Sequence, residues 1–167
     1  MRFSVEHALP GTLASLESLL VNPQTYDRLE RALPGFERIE LLASEETGGV
    51  LRRRVRYTPR AHDRVPSFGR GLVTPEMLIW VEESAYDRAQ QRIDYRVHPN
   101  LPEKWRDRFD SSGCFTFRQT ASGVVRAVAG EINVRVPLVG GLAERVLVRE
   151  VRAAFDTDAD LLASWLA

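Results

Sequence analysis

The sequence predicts an α+β fold, in which a curved antiparallel sheet of seven strands wraps around one long C-terminal helix. A first strand and two brief helices precede six further strand-like segments that are separated by turn residues. The chain then ends in an amphipathic stretch from about Gly141 to Leu166, and the sheet is the obvious cover for its apolar stripe. With 167 residues, 44% of them hydrophobic, we expect a single domain over residues 1–167.

The first elements are a half-buried strand and a helical pair. Phe3, Val5 and His7 alternate with polar residues, which is the period of a strand with one buried face. Leucines at helical spacing over residues 13–20 predict a first helix. Asn22, followed directly by a proline, predicts the capped start of a second helix.

The middle of the chain predicts a hairpin and then a break in the pattern. Strands are expected over residues 36–43 and 50–57, with a glycine-containing turn over residues 44–49. Between residues 59 and 75, prolines and glycines interrupt the apolar periodicity. A connection of this length inside a compact domain is usually functional, so we interpret it as a lid.

The second half predicts four more strands and the long helix. The strands are expected over residues 77–83, 92–98, 113–120 and 124–136. Three aspartates within residues 156–160 leave two possibilities for the helix, which either continues or is kinked and restarted there.

The overall charge balance favours no charged partner, although it leaves a local charged patch possible. Lys and Arg total 23, as do Asp and Glu, so no net field attracts nucleic acid. Cys114 is the one cysteine of the sequence, which favours a reducing compartment, and we expect a cytoplasmic protein. No stretch approaches the roughly 20 apolar residues of a membrane span, so no stable membrane insertion is expected.

Three local motifs carry a resemblance to a known superfamily. They are Pro10-Gly11-Thr12, Asn22-Pro23-Gln24-Thr25-Tyr26 and Val136-Pro137-Leu138-Val139-Gly140-Gly141-Leu142-Ala143-Glu144. With the order of elements, they resemble the START-related (SRPBCC) helix-grip superfamily, and a bacterial subgroup of unassigned function most of all. Its members include lipid-transfer domains, pollen-allergen-like proteins and aromatic polyketide cyclases. The resemblance covers essentially the whole chain and implies an internal cavity, but no particular chemistry.

An arginine-rich strand supplies the most unusual local composition. Leu51, Arg53, Val55 and Tyr57 share the apolar face of this strand, whereas the arginines at 52, 54 and 56 form a solvated face. An inward Arg53 must meet an internal carboxylate or an acidic ligand group, because an unpaired buried guanidinium costs several kcal/mol. The alternative is that its charged end reaches the rim of the cavity.

Other candidate residues lie on predicted inner strand faces. His7 either lines the cavity as a base or hydrogen-bond donor, or is a core histidine satisfied by a backbone group. Nucleophile motifs, metal-ligand spacings and phosphate loops are absent from the sequence, so we expect no metal and no cofactor.

The leading hypothesis is binding or transport of a small hydrophobic or amphipathic ligand, such as a lipid, a fatty acid or a polyketide-like aromatic. The expected ligand-binding residues are Phe3, Val5, His7, Arg53, Tyr57, Trp80, Tyr95, Phe115, Phe117, Val148, Val151 and Phe155. One alternative is a cyclase or aromatase-like enzyme, in which Arg53 polarises a carbonyl and His7 or Tyr95 moves protons. The other is a regulatory scaffold with a filled core. The sequence leaves the oligomeric state open.

Overall fold

The computed structural model describes residues 1–60, 74–137 and 140–167. The predicted lid lies almost entirely outside the described residues. The strands are β1 (Arg2–Leu9), β2 (Phe36–Thr47), β3 (Val50–Pro59), β4 (Trp80–Asp87), β5 (Arg92–Pro99), β6 (Phe109–Thr120) and β7 (Gly123–Val134). The helices are α1 (Leu13–Val21), α2 (Gln24–Ala32), α3 (Glu103–Arg106) and α4 (Gly140–Leu166), and a 3₁₀ helix spans Pro75–Leu78.

The strands form one antiparallel sheet in the order β1-β7-β6-β5-β4-β3-β2. The chain runs as a meander from β2 to β7, and β1 then pairs with β7 at the opposite edge from β2. Two register shifts in β2 bend its edge of the sheet. The predicted α+β fold, with a curved seven-stranded sheet and a long C-terminal helix, is confirmed.

The hairpin between β2 and β3 is tighter than the sequence indicated. Gly48 and Gly49 have φ angles of 60° and 78°, and these two residues complete the turn. Strand β2 therefore continues to Thr47, four residues beyond the predicted end at residue 43.

The helical pair has side-chain caps at both starts. Thr12 Oγ1 accepts a hydrogen bond from the Ser15 amide at 3.1 Å, and Ser15 Oγ accepts one from the Thr12 amide at 3.0 Å. This reciprocal pair is a capping box at the start of α1. Asn22 Oδ1 accepts a hydrogen bond from the Gln24 amide at 3.0 Å, which confirms the predicted capping role of Asn22.

Two boundaries differ from the prediction for local reasons. Where a strand was predicted from residue 77, Pro75 at the first helical turn and Thr74 at the cap favour a 3₁₀ helix, so β4 begins only at Trp80. Strand β6 begins at Phe109 instead of residue 113, because its pairing with β7 extends to Val134.

Helix α4 is continuous over 27 residues, so the aspartates at 156–160 neither kink nor restart it. It packs mainly on β1 and β7, and its C-terminal half also contacts α1. Leu16 of α1 and Tyr86 of β4 are fully buried in this part of the core. Within the described residues, no helix is long and apolar enough to cross a membrane.

Candidate functional site

Helix α4 covers only part of the sheet's inner face, which is the face towards α4, and α1 and α2 contact another part of it. Helix α4 lies over β1 and β7, whereas among the described residues its contacts with β3, β4 and β5 are sparse. Side chains that point inward from these three strands therefore have few neighbours on α4, and we consider the region between them and the helix. This region is the candidate site.

Polar side chains from β3, β4 and β5 converge on this inner face. In the sheet register Arg53 lies opposite Ser84, and Ser84 lies opposite Tyr95. Glu82 and Tyr57 follow on the same face at the period-2 spacing of β4 and β3. With Tyr26 of α2, the residues that carry the candidate chemistry form what we call the polar cluster. Its members are Tyr26, Arg53, Tyr57, Glu82 and Tyr95.

Arg53 is the buried cation of the polar cluster. The predicted inward orientation is confirmed, because Arg53 is 8% exposed whereas Arg52 and Arg54 are exposed. Its Nη1 donates a hydrogen bond to the Leu20 carbonyl in the last turn of α1, a position where helix carbonyls attract cations. Its guanidinium carbon lies 5.8 Å from the centre of the Tyr26 ring. Its Nε is buried and has no hydrogen-bond partner within the described residues.

Glu82 is the acid of the polar cluster. Burial raises the pKa of its carboxyl to about 7, with a further increase from the charge of Asp158, and the positive charge of Arg53 acts in the opposite direction. Its side chain nevertheless keeps intermediate exposure. The carboxyl is therefore largely desolvated but not fully enclosed by the described residues. Over residues 1–60, 74–137 and 140–167, this carboxyl makes no hydrogen bond or ion pair.

Three phenols complete the polar cluster as neutral groups. Burial raises the pKa of Tyr26 to about 12, and it raises the pKa values of Tyr57 and Tyr95 further above their usual range. A neutral phenol both donates and accepts a hydrogen bond. In the described part of the chain, none of the three hydroxyls has such a partner. The cluster thus offers unused hydrogen-bonding capacity to the interior.

An apolar wall adjoins the polar cluster. Phe155 of α4 lies with its ring centre 5.4 Å from that of Phe115 and 6.1 Å from that of Phe3. Tyr95 joins the two regions, because its ring centre is 5.3 Å from that of Phe115. The apolar wall consists of Phe3, Val5, Phe115, Val148, Val151 and Phe155, which belong to one hydrophobic cluster.

Two glycines make room for Tyr95 on the sheet. Gly113 and Gly130 lie opposite each other on β6 and β7. A Cβ atom on Gly130 would lie 2.6 Å from Phe3 Cζ and 2.8 Å from Tyr95 Oη, so no side chain fits there without displacing these rings. The absence of side chains at these two positions lets the Tyr95 ring lie over the sheet.

Trp80 and Phe117 lie outside the apolar wall, and Tyr57 of the polar cluster also contacts Trp80. Tyr57 and Trp80 stack with ring centres 5.1 Å apart, and both contact Phe36, so this aromatic group lies near the β2 edge of the sheet. Phe117 packs edge-on against Tyr86 in the core beneath α1. The structure therefore brings Phe117 together with core residues and not with the apolar wall.

His7 belongs to a network that ties β1 and β7 to α4. Arg126 is 2% exposed, and its Nη2 donates to the Phe155 carbonyl at 2.7 Å and to His7 Nδ1 at 3.3 Å. Its Nη1 donates to Asp158 Oδ2. Since Nδ1 accepts, Nε2 of His7 carries the proton and donates to Asp156 Oδ1 at 2.9 Å. Both ring nitrogens are engaged, so a ligand or proton-transfer role for His7 stays a prediction.

The sequence analysis missed Glu82 and Tyr26. The inward assignment of Trp80 already implied an inward Glu82 two residues later, and this signal was available. Tyr26 lies on a short helix whose packing direction has no local signature. The network of Arg126 with Asp158 joins residues 32 apart in the sequence, which no local pattern reveals.

The outer face of the sheet carries a depression of about 760 Å³, whose lining also includes atoms of Arg53, Ser84 and Tyr95. Two ion pairs lie within its lining, Arg54 with Glu83 at 3.2 Å and Arg92 with Asp94 at 2.6 Å. Within the described residues, no group of three or more His, Cys, Asp or Glu side chains is placed to hold a metal ion.

Comparison with known proteins assigns the family. The model of a family described as "Protein of unknown function (DUF2505)" matches residues 4–166. The chain belongs to the DUF2505 family. No curated protein sequence matches this DUF2505 chain.

Solved structures show which fold this DUF2505 chain shares. TTHA0849 from Thermus thermophilus has a TM-score of 0.68 at 16% identity, with 100% of each chain covered. Zhui aromatase/cyclase from Streptomyces sp. R1128 has a TM-score of 0.64 at 17% identity, with 99% of this chain and 94% of that chain covered. A START superfamily protein from Mycobacterium smegmatis has a TM-score of 0.57 at 13% identity, with 98% of each chain covered. The predicted START-related helix-grip fold is confirmed.

Proposed function

We propose that the chain acts as one ligand-binding domain that holds a small amphipathic molecule between α4 and the inner face of β3, β4 and β5. One observation carries this proposal: the polar cluster has unpaired hydrogen-bonding groups directly beside the apolar wall. A ligand with a polar end and an apolar body matches both regions at once. In this arrangement Arg53, Tyr57 and Tyr95 meet the polar end, and Phe3, Val5, Val148, Val151 and Phe155 meet the body.

Burial of the ligand body is the expected source of affinity. Each buried methylene contributes about 0.8 kcal/mol, so about ten give a gross 8 kcal/mol. The cost of ordering the ligand and the side chains reduces this gain. A gross 8 kcal/mol corresponds to about 1 μM, so the expected affinity from burial is micromolar or weaker. The expected cytoplasmic location stays a prediction.

The test is a titration of lipid-stripped protein with 1-aminoanthracene, a neutral fluorophore that becomes brighter in apolar surroundings. Val151→Trp fills the space beside the apolar wall, and Ala154→Trp places the same side chain on the exposed face of α4. We expect micromolar binding that Val151→Trp abolishes and Ala154→Trp leaves within twofold. Native mass spectrometry of freshly purified protein gives a second readout, as a bound small molecule. If neither method detects binding, the filled-core scaffold is the better description.

A second candidate function is an enzyme of the cyclase or aromatase type. It is favoured by a carboxyl whose pKa is about 7 beside a cation and three phenols, because acid-base catalysis needs a group that titrates near the working pH. The structural similarity to an aromatase/cyclase is consistent with it. Turnover of a reactive polyketone that disappears in both Glu82→Gln and Tyr95→Phe would support the enzyme. Tight binding without turnover would support the carrier.

A further inference from the structure

The polar cluster has a charge balance that limits which polar end it accepts. The charged and titratable groups around the site are Arg53 and Tyr57 from β3, Glu82 from β4, Tyr95 from β5, Tyr26 from α2, Asp158 from α4, Arg126 from β7 and His7 from β1. Asp158 is paired with Arg126 of β7. The phenols are neutral, so among the described residues Arg53 and Glu82 decide the net charge that a ligand meets.

One Arg53 donor is already used, whereas its Nε has no hydrogen-bond partner within the described residues. Its Nη1 is held by the Leu20 carbonyl, and Tyr26 lies against its guanidinium. An incoming carboxylate would therefore share one partly occupied cation with Glu82. Two carboxylates near one guanidinium leave an unbalanced negative charge in a desolvated space, which is unfavourable unless one of them binds a proton.

A neutral hydroxyl or carbonyl group meets no such conflict. It can accept a hydrogen bond from a phenol or from Arg53, and a hydroxyl can also donate one to Glu82 in either protonation state. A cationic amine, in contrast, would be repelled by Arg53. We propose that ionised Glu82 makes the interior select ligands with a neutral hydroxyl or carbonyl end over ionised carboxylates, so that Glu82 is the residue that sets this selectivity. This inference rests on the proposed binding function.

The inference predicts that an ionised acid binds together with one proton. Burial raises the pKa of Glu82, and the ionised ligand binds to the form of the protein in which the Glu82 carboxyl is neutral. With a pKa of about 7, the neutral fraction falls about 30-fold between pH 6 and pH 8.5, so the affinity for an acid should fall by that factor. The affinity for a matched alcohol should change less than threefold.

The experiment compares decanoate with decan-1-ol as competitors of 1-aminoanthracene at pH 6 and pH 8.5. Decanoate is ionised in solution at both values, so its own titration does not contribute. In the wild type, we expect the ratio of the acid and alcohol dissociation constants to rise about 30-fold with pH, a factor set by the Glu82 pKa of about 7. In Glu82→Gln the ratio of the acid and alcohol dissociation constants should be the same at both pH values. Glu37→Gln, at an exposed position of β2, should behave as the wild type.

A second readout does not depend on a variant. Calorimetry of decanoate binding at pH 8, in buffers of different ionisation enthalpy, should show the uptake of about one proton, and decan-1-ol should show none. An acid and an alcohol that bind with the same pH dependence, without proton uptake, would overturn the inference and leave the proposed function intact. If 1-aminoanthracene does not bind at all, the proposed function itself fails.

Discussion

The carboxyl of Glu82 gives the folded protein a stability that depends on pH. Its pKa is raised from 4.5 to about 7 because burial disfavours the ionised form. Each pKa unit corresponds to about 1.4 kcal/mol, so ionisation of Glu82 costs the native state about 3 kcal/mol. Glu82→Gln removes this titration and keeps the shape of the side chain.

The sign follows from which state binds the proton more tightly. Below pH 4.5 Glu82 is protonated in both the folded and the unfolded chain, so it has no effect on stability there. Between pH 4.5 and about pH 7 the folded state holds the proton that the unfolded state releases, and the wild type loses stability as the pH rises. Above pH 7 the loss is complete. Glu82→Gln should therefore be more stable than the wild type by about 3 kcal/mol at pH 8 and nearly equal to it at pH 4.5.

The assay is equilibrium urea unfolding, followed by tryptophan fluorescence at half-unit steps from pH 4.5 to pH 8. All other groups titrate in both proteins, so the difference in the free energy of unfolding isolates Glu82. Glu37→Gln, on the exposed face of β2, should show no such pH-dependent gain. A difference between wild type and Glu82→Gln that stays constant with pH would refute the desolvated position of this carboxyl.

Three other changes test neighbouring parts of the structure. Arg53→Met should raise the pKa of Glu82 above about 7 in a carbon-13 NMR titration, because the positive charge of Arg53 lowers this pKa. The control Arg52→Met should leave the pKa of Glu82 unchanged. Equal titrations of Glu82 in the two variants would disprove its coupling to Arg53. Asp158→Asn should lower the free energy of unfolding by about 3 kcal/mol, because it leaves Arg126 buried without its charge partner. The control Asp160→Asn, on the exposed side of α4, should lower it by less than about 0.5 kcal/mol. Similar losses in the two variants would argue against the network of Arg126 and Asp158. Gly130→Ala should lower the free energy of unfolding by about 1–3 kcal/mol and weaken 1-aminoanthracene binding, because the new methyl group overlaps Phe3 and Tyr95. In the control Gly141→Ala the methyl group meets no described atom within 4 Å, so the change should be neutral or stabilising. An unchanged melting temperature and affinity in Gly130→Ala would contradict the packing.

Sequence periodicity was sufficient for the fold and for the direction of Arg53. The alternation of Leu51, Arg53 and Val55 fixed the inner face of β3, and the structure confirms it. The limits of the hairpin were less predictable, because two glycines with positive φ are enough for the turn and the neighbouring polar residues continue the strands. Whether α4 continues through residues 156–160 depends on tertiary contacts, because Asp156 and Asp158 bind partners on β1 and β7 that stabilise a continuous helix.

The candidate site was harder to predict because it depends on which element covers which strand. Periodicity places Tyr95 and Phe117 equally on inner faces, but α4 and α1 divide these faces into an apolar wall and a solid core. Glu82 was overlooked because an acid among apolar strand residues looks like an outward residue until the strand phase is applied to it. His7 shares a face with Phe3 and Val5, yet its partners are 119 and 149 residues away in the sequence.

The most direct test of interior binding is where a bound probe touches the protein. Intermolecular NMR contacts between 1-aminoanthracene and the methyl groups of a labelled sample can distinguish the two faces of the sheet. We predict contacts to Val5, Val148 and Val151, which belong to the apolar wall. Contacts confined to Ala43 and Ala85, in the outer depression, would contradict binding between the sheet and α4.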